Sequence, residues 1–132
     1  MRPIALISLI LLLSACAAPM KRDISSFSEL VQGTWAEYIE DGEIKVYVTY
    51  LPDGRFHTFG YYPPDFSRYF FADGFWRIQD DESCIYITYI SAGSHSAGDV
   101  LCNRIVSLNE RSFVFDSGGR DIKMLKISET EL

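Results

Sequence analysis

The chain has 132 residues, with 18 acidic and 12 basic side chains and a formal net charge of −6 at neutral pH. This length corresponds to one domain with its own hydrophobic core. An acidic balance argues against binding to nucleic acid and against a polybasic patch for anionic membranes. We therefore expect no nucleic-acid partner.

The first fifteen residues have the organisation of a secretory signal peptide. Arg2 supplies a positive charge, and residues 4–13 are apolar except for Ser8. About ten residues of helix span roughly 15 Å, half of the roughly 30 Å of a bilayer's hydrocarbon core. The stretch is too short for a transmembrane helix and suits a signal peptide at 1–15.

Residues 13–16 read Leu-Ser-Ala-Cys and resemble the lipobox of bacterial lipoproteins. The resemblance implies a diacylglyceryl group on Cys16, cleavage before Cys16, and acylation of the new amine, typically with palmitate. Two or three acyl chains anchor a protein stably, since each buried methylene adds roughly 0.8 kcal/mol. Ala17 follows instead of Asp, which by the same resemblance favours the outer membrane of the bacterial envelope.

This interpretation divides the chain into a signal peptide (1–15), a lipidated tether (16–23) and a folded domain (24–132). The membrane is then a partner that the protein reaches through the lipid on Cys16. The alternative is an ordinary signal peptide with a cysteine near the cleavage site by chance.

Cys84 and Cys102 form an even pair in a chain that we expect to be exported, which predicts a disulfide. The alternative is two buried free thiols. A turn at 92–94 would place the two cysteines opposite each other in a hairpin, whereas a loop over all of 92–99 would separate them. The disulfide therefore predicts the short turn, with 95–99 extended. No CxxC motif or Cys/His cluster occurs, so we expect no metal and no cofactor.

The hydrophobic pattern changes from helical to strand-like at Gly33. Before it, Ser26 and Glu29 have the spacing of a capping box and predict a short helix to residue 31. After it, apolar residues alternate with a period of two. The predicted strands are 35–39, 44–51, 55–62, 74–79, 84–91, 101–108, 113–116 and 122–127. Tight turns between short strands predict an all-β, antiparallel up-and-down barrel of about eight strands, with a two-sheet β-sandwich as the alternative.

Several short motifs occur in the order found in the lipocalin-like domains of small bacterial lipoproteins. GTW opens the first strand after a short helix, LPDGRF forms a hairpin turn, GFWRI lies in a middle strand, and RIVSLNERSFVF resembles the closing hairpin. The resemblance implies a barrel-closing motif at Gly33 and Trp35. It also implies a late arginine against Trp35, for which Arg111 and Arg120 are the candidates.

The segment 56–76 holds about half of the aromatic residues of the chain. Its centre, 63–73, is predicted to be a long connection at the mouth of the barrel, where such loops are commonly functional. The alternative is that its rings cap the barrel as ordinary core. The candidate contacts with a ligand or partner are Tyr61, Tyr62, Phe66, Arg68, Tyr69, Phe70 and Phe71.

His57 and His95 are the only histidines, and we expect both to be solvated. A Ser-His-Asp site needs fixed geometry, which the loop around His95 rarely supplies, so we expect no enzymatic activity. The predicted function is non-catalytic binding of a small apolar ligand or lipid. The alternative is a protein–protein interaction or inhibitor module on a lipid tether. A cavity of several hundred cubic ångströms favours the ligand, and a filled barrel with an aromatic patch favours the partner.

Overall fold

The computed structural model describes residues 24–38, 42, 44–62 and 68–131. The predicted signal peptide, the predicted lipidation site Cys16 and the predicted tether lie outside the described residues. Phe66 and the side chains of Tyr62 and Arg68 also lie outside what the structure describes.

The described chain forms one short helix followed by eight antiparallel strands. The elements are α1 (Ile24–Val31), β1 (Gly33–Tyr38), β2 (Ile44–Tyr50), β3 (Arg55–Tyr62), β4 (Arg68–Gln79), β5 (Glu82–Ile90), β6 (Val100–Leu108), β7 (Ser112–Ser117) and β8 (Arg120–Ser128). Each strand pairs with its neighbour in the sequence, and β8 pairs with β1 to close the barrel. The predicted up-and-down barrel is confirmed, and the two-sheet sandwich is wrong.

Helix α1 packs against one end of the barrel, which we call the closed end. Phe27, Leu30 and Val31 of the helix pack on the barrel core. The helix begins at Ile24, so the predicted capping box is wrong, because Ser26 lies inside the helix. At Gly33, φ is 116°, and a Cβ there would lie 2.5 Å from the backbone oxygen of Ser128. Only glycine fits this corner between α1 and β1.

The most fully buried side chains lie mainly towards the closed end. Trp35 and Phe113 meet edge to face with ring centroids 5.8 Å apart, and Tyr50 meets Trp76 in the same way at 5.7 Å. Such pairs add stabilisation beyond their burial. The buried core consists of Val31, Trp35, Tyr50, Phe56, Ile87, Ile105, Leu108, Phe113 and Met124. The opposite end, which we call the open end, carries the 91–99 connection.

Cys84 lies directly opposite Cys102 and is bonded to it, with the two Cα atoms 4.1 Å apart. The predicted disulfide is confirmed, but the predicted short turn at 92–94 is wrong. Strand pairing ends at Tyr86 and Val100, and a loop spans 91–99. The register holds because β5 extends past the end of β6. There β5 pairs with β4, and its Ile87 also exchanges backbone hydrogen bonds with Gly98 and Asp99 at the end of the loop.

Strand β4 begins at Arg68, six residues before the predicted start, so the predicted connection over 63–73 is wrong. The extra residues pair with β3, with Gly60 opposite Phe70. A Cβ at Gly60 would lie 2.6 Å from Cε1 of Phe70. Because Gly60 has no side chain, the Phe70 ring can occupy this space inside the barrel.

Candidate functional site

The barrel interior contains two adjoining cavities above the packed closed end. The lower cavity has a volume of about 130 Å³ and the upper cavity, towards the open end, about 200 Å³. The two cavities share the lining residues Phe56, Thr58, Ile85 and Leu101. Neither cavity reaches the several hundred cubic ångströms of a drug-sized pocket. The reason is that side chains nearly fill the interior of an eight-stranded barrel.

The upper cavity is almost entirely apolar. Among the described residues its lining consists of Phe56, Thr58, Phe70, Ala72, Ile85, Ile87, Ile90, His95 and Leu101. The Thr58 hydroxyl donates a hydrogen bond of 2.8 Å to the backbone oxygen of Tyr47, so its proton is already engaged within the barrel wall. The small side chain of Ala72 leaves room between the larger rings. This cavity suits an apolar molecule better than a polar one.

The lower cavity mixes apolar walls with a few polar groups. Its polar lining includes Glu37, Ser83 and Asn103. The carboxylate of Glu37 lies 3.1 Å from the Lys45 ammonium, which balances its charge. Burial raises the pKa of the Tyr50 phenol to about 12, and its hydrogen bond with Ser83 opposes that shift. The phenol therefore stays neutral at physiological pH.

The aromatic residues predicted as contacts are divided between the two faces of the barrel wall. Phe70 lines the upper cavity. Tyr69 and Phe71, on either side of it, are 61% and 41% exposed on the outer surface. This alternation follows from the pleat of β4. Among these three residues, only Phe70 is placed to contact a ligand in the interior.

The outward-facing rings form an aromatic patch on the outer wall of β3, β4 and β5. Phe59 stacks on Tyr69 at 5.6 Å and meets Tyr61 at 5.3 Å, while Phe71 lies 5.5 Å from Tyr89. We call these five residues the aromatic patch. The patch lies on the opposite side of the wall from the cavities, so it offers a separate contact surface.

The closed end is fixed by Trp35 and Lys126. The indole N–H of Trp35 donates to the backbone oxygen of Val31 at 2.7 Å, and the Lys126 ammonium lies 4.9 Å from the indole centroid. The predicted arginine partners are wrong, because lysine takes this position, while Arg111 and Arg120 are exposed. The sequence contains a signal for this contact, since residue 126 continues the alternation of the inward Ile122 and Met124.

The two histidines occupy different surroundings. His57 contacts the carboxylate of Asp73 through Nδ1 on the outer wall of the barrel. Asp53, just before β3, is paired with Arg55 instead. The Arg55 backbone N–H and, to a lesser extent, the Arg55 guanidinium hold the pKa of Asp53 below its ordinary value. His95 lines the upper cavity although its side chain is 48% exposed. Sequence reasoning missed this role because it depends on the path of the 91–99 loop.

Potential metal ligands come close together at one place in the described part of the chain. The group comprises Glu82, Cys84 and Cys102, and the disulfide occupies both of its sulfur atoms. The described helix is not long and apolar enough to cross a membrane.

Two solved structures resemble this barrel. One is a lipocalin-like protein from Bacteroides uniformis, with a TM-score of 0.53 and 16% identity over 74% of this chain and 98% of that chain. The other is an uncharacterized protein from Bacteroides eggerthii, with a TM-score of 0.52 and 14% identity over 74% of this chain and 99% of that chain. Neither the protein-family models nor the curated proteins match this sequence. At these identities the likeness concerns the fold alone, and the fold of this chain is a lipocalin-like β-barrel.

Proposed function

We propose that this protein is a lipid-anchored binding protein of the bacterial envelope that takes a small apolar ligand into its barrel. The observation that carries the proposal is the apolar upper cavity of about 200 Å³ at the open end. An apolar cavity of about 150 Å³ holds benzene, so this one has room for roughly eight carbon atoms. The cavity is smaller than the several hundred cubic ångströms expected for a drug-sized ligand, so the ligand that we propose is correspondingly small.

The anchoring part of the proposal depends on the lipobox at residues 13–16. The tether 16–23 reaches at most about 28 Å when extended and leads directly into α1. Because α1 packs against the closed end of the barrel, the open end is left for the ligand to enter. The outer membrane is the proposed location, since Ala17 follows the lipidated cysteine.

Filling the upper cavity tests the ligand proposal. The probe is 1-octanol, and binding is measured by isothermal titration calorimetry on the purified mature chain. Ala72→Phe places a ring in the cavity and is expected to abolish binding. Val106→Phe adds the same ring on the outer wall, where Val106 is 43% exposed, and serves as the matched control. Octanol binding to Ala72→Phe at wild-type strength would contradict the proposal.

The anchor has its own test. Cys16→Ser removes the thiol that lipidation requires, so metabolic labelling with an alkyne-tagged fatty acid should fail and the precursor should remain uncleaved. A Cys84→Ser/Cys102→Ser variant, which also loses cysteines but not Cys16, should still be labelled. A labelled Cys16→Ser protein would show that the lipobox interpretation is wrong.

A second candidate function is a protein–protein interaction module, which the aromatic patch supports. Its rings contact one another across β3, β4 and β5, and those of Tyr69, Phe71 and Tyr89 are exposed, which offers an apolar contact surface. Under this candidate, Tyr69→Ala/Phe71→Ala would abolish cross-linking to a partner in the cell envelope and leave octanol binding unchanged. Unchanged cross-linking in that variant would remove the candidate.

A further inference from the structure

We infer that the outer wall of the barrel carries a second binding site, which takes a small organic cation, a protonated amine on an apolar body. The site is a groove of about 410 Å³, larger than either interior cavity. We call it the outer groove, and it is separate from the interior ligand site proposed above. Among the described residues its lining consists of Thr34, Tyr47, Thr49, His57, Thr58, Phe59, Phe71, Asp73 and Glu131.

The floor of the outer groove contains two neighbouring rows of side chains that run across β2, β3 and β4. Strand pairing sets one aromatic row, which consists of Tyr47, Phe59 and Phe71. The row beside it is polar and consists of Thr49, His57 and Asp73. The two rows are two residues, or about 7 Å, apart along the strands. This arrangement fits a ligand with an apolar body and one polar end.

The chain after β8 forms a wall of the outer groove. The Thr34 hydroxyl donates a hydrogen bond of 2.8 Å to the backbone oxygen of Thr130, which holds this segment against the barrel. One residue further, Oε1 of Glu131 lies 3.7 Å from Nε2 of His57. The segment therefore brings the Glu131 carboxylate to the polar row.

The charge of the outer groove selects a cation. The carboxylates of Asp73 and Glu131 are both accessible, with 47% and 58% of their side chains exposed. The described lining contains no lysine or arginine. His57 contacts Asp73 through Nδ1, and these three side chains together keep a net negative charge whether the imidazole is neutral or protonated. The Glu131 carboxylate makes no hydrogen bond within the described part of the chain, so a cationic ligand has an unpaired charge to bind.

The hydroxyl groups of the groove give an anion little compensation. The single proton of the Thr34 hydroxyl goes to the Thr130 carbonyl, which can only accept. The Thr49 hydroxyl, 2.9 Å from that of Thr34, must therefore donate its own proton to Thr34. The Thr58 proton is engaged by the backbone oxygen of Tyr47. Of the four hydroxyl groups, only the Tyr47 phenol keeps a proton for a ligand, whereas an anion would also meet two carboxylates.

The aromatic row accounts for the apolar body of the ligand. The Phe71 ring is 41% exposed, so an apolar group that packs on it leaves water at both surfaces. The positive end of the same molecule lies about 7 Å along the strands, beside the carboxylates. A phenyl ring on a two-carbon chain that ends in an ammonium group spans this distance.

Three probes that share a phenyl ring on a two-carbon chain test the charge preference: phenethylammonium, 2-phenylethanol and 3-phenylpropionate. An NMR titration of the mature chain at neutral pH follows the backbone amides of Thr49, Phe59 and Asp73. The cation should bind about fivefold more tightly than the alcohol, the ratio that one favourable exposed ion pair gives, and the anion should bind most weakly. Raising the salt from about 20 mM to about 300 mM should reduce the advantage of the cation, because salt screens exposed charges.

Glu131→Gln removes one negative charge from the outer groove. It should weaken binding of the cation about threefold and leave binding of the alcohol unchanged. Glu129→Gln is the matched control on the same segment, because the Glu129 carboxylate lies 3.3 Å from the Lys126 ammonium instead of in the groove lining. It should leave the preference for the cation as in the wild type.

Several outcomes would overturn the inference. These are an anion that binds as tightly as the cation, a preference of wild-type size in Glu131→Gln, and the absence of cation binding. Shift changes confined to the methyl groups of Ile85 and Ile87, which line the upper cavity, would place the cation inside the barrel and also overturn it. None of these results bears on octanol binding in the interior, so this inference and the proposed function fail separately.

Discussion

The ammonium of Lys126 lies 4.9 Å from the centroid of the Trp35 indole ring and donates a hydrogen bond of 3.1 Å to the backbone oxygen of Leu30. One side chain thus joins β8, β1 and the helix at the closed end. The Lys126 side chain is only 8% exposed, and a cation over an aromatic ring is worth about 2 kcal/mol when desolvated. We infer that this contact holds α1 on the barrel.

Lys126→Met should lower the free energy of unfolding by about 2 kcal/mol, because it removes the cation over Trp35 and the donor to Leu30. Lys126→Arg keeps a cation and should recover most of the loss. Urea unfolding followed by tryptophan fluorescence measures both. Lys123→Met, on the exposed face of the same strand, is the matched control and should change stability little. Wild-type stability in Lys126→Met would show that the contact contributes nothing.

Loss of the disulfide should lower the free energy of unfolding by roughly 3 kcal/mol, the chain-entropy value for a loop of this size. The bond joins residues 18 positions apart. Guanidinium unfolding of Cys84→Ser/Cys102→Ser and of the wild type, each with and without a reductant, measures the effect. The reductant should lower the free energy of unfolding of the wild type only. If it also lowered that of the double variant, the loss of stability would have a cause other than the disulfide.

The buried phenol of Tyr50 predicts a loss of stability at alkaline pH. Its pKa is about 12 in the folded protein against 10.0 for the free group, so above pH 10 the unfolded chain loses the proton first. Stability is complete below that range and falls between the two values. From about pH 9 to about pH 11 the wild type should lose about 1.3 kcal/mol more than Tyr50→Phe. Equal losses in urea unfolding would contradict the assignment, and Tyr69→Phe, at an exposed ring, should behave as wild type.

Neighbouring rings on β4 should respond oppositely to truncation. Phe70→Ala removes a ring from the barrel interior and should cost about 2 kcal/mol or more, as interior truncations do. Tyr69→Ala removes an outer ring that is 61% exposed and should cost well under 1 kcal/mol. Thermal unfolding of the two variants compares them directly. A similar loss in both would mean that the aromatic patch is part of the packed structure.

The sequence predicts the strands well where apolar and polar residues alternate. Strand β3 has the predicted limits, 55–62, because its turns are marked by residues that favour turns. The first half of β4 was not predictable in this way, since Tyr69, Phe70 and Phe71 show no alternation. Their strand conformation comes from pairing with β3, a tertiary effect that local pattern does not carry.

The candidate site was less predictable than the fold. The disulfide follows from the number of cysteines and the expectation of export, but the 91–99 loop depends on how far β5 extends past β6. The stagger between these two strands, meaning how far the end of β5 extends past β6, is set by closure of the barrel. No short stretch of sequence encodes this stagger. His95 reaches the upper cavity only because of this stagger, and no local motif around residue 95 indicates it.

The most direct measurement of the central claim is an NMR titration of the mature chain, with isoleucine methyl groups labelled with ¹³C, against 1-octanol. The proposed binding predicts shift changes and intermolecular nuclear Overhauser effects at Ile85, Ile87 and Ile90, which line the upper cavity. Ile127, exposed on the outer wall, should not respond. Saturating octanol that leaves the three cavity methyl groups unchanged would contradict the claim that this barrel binds a small apolar ligand.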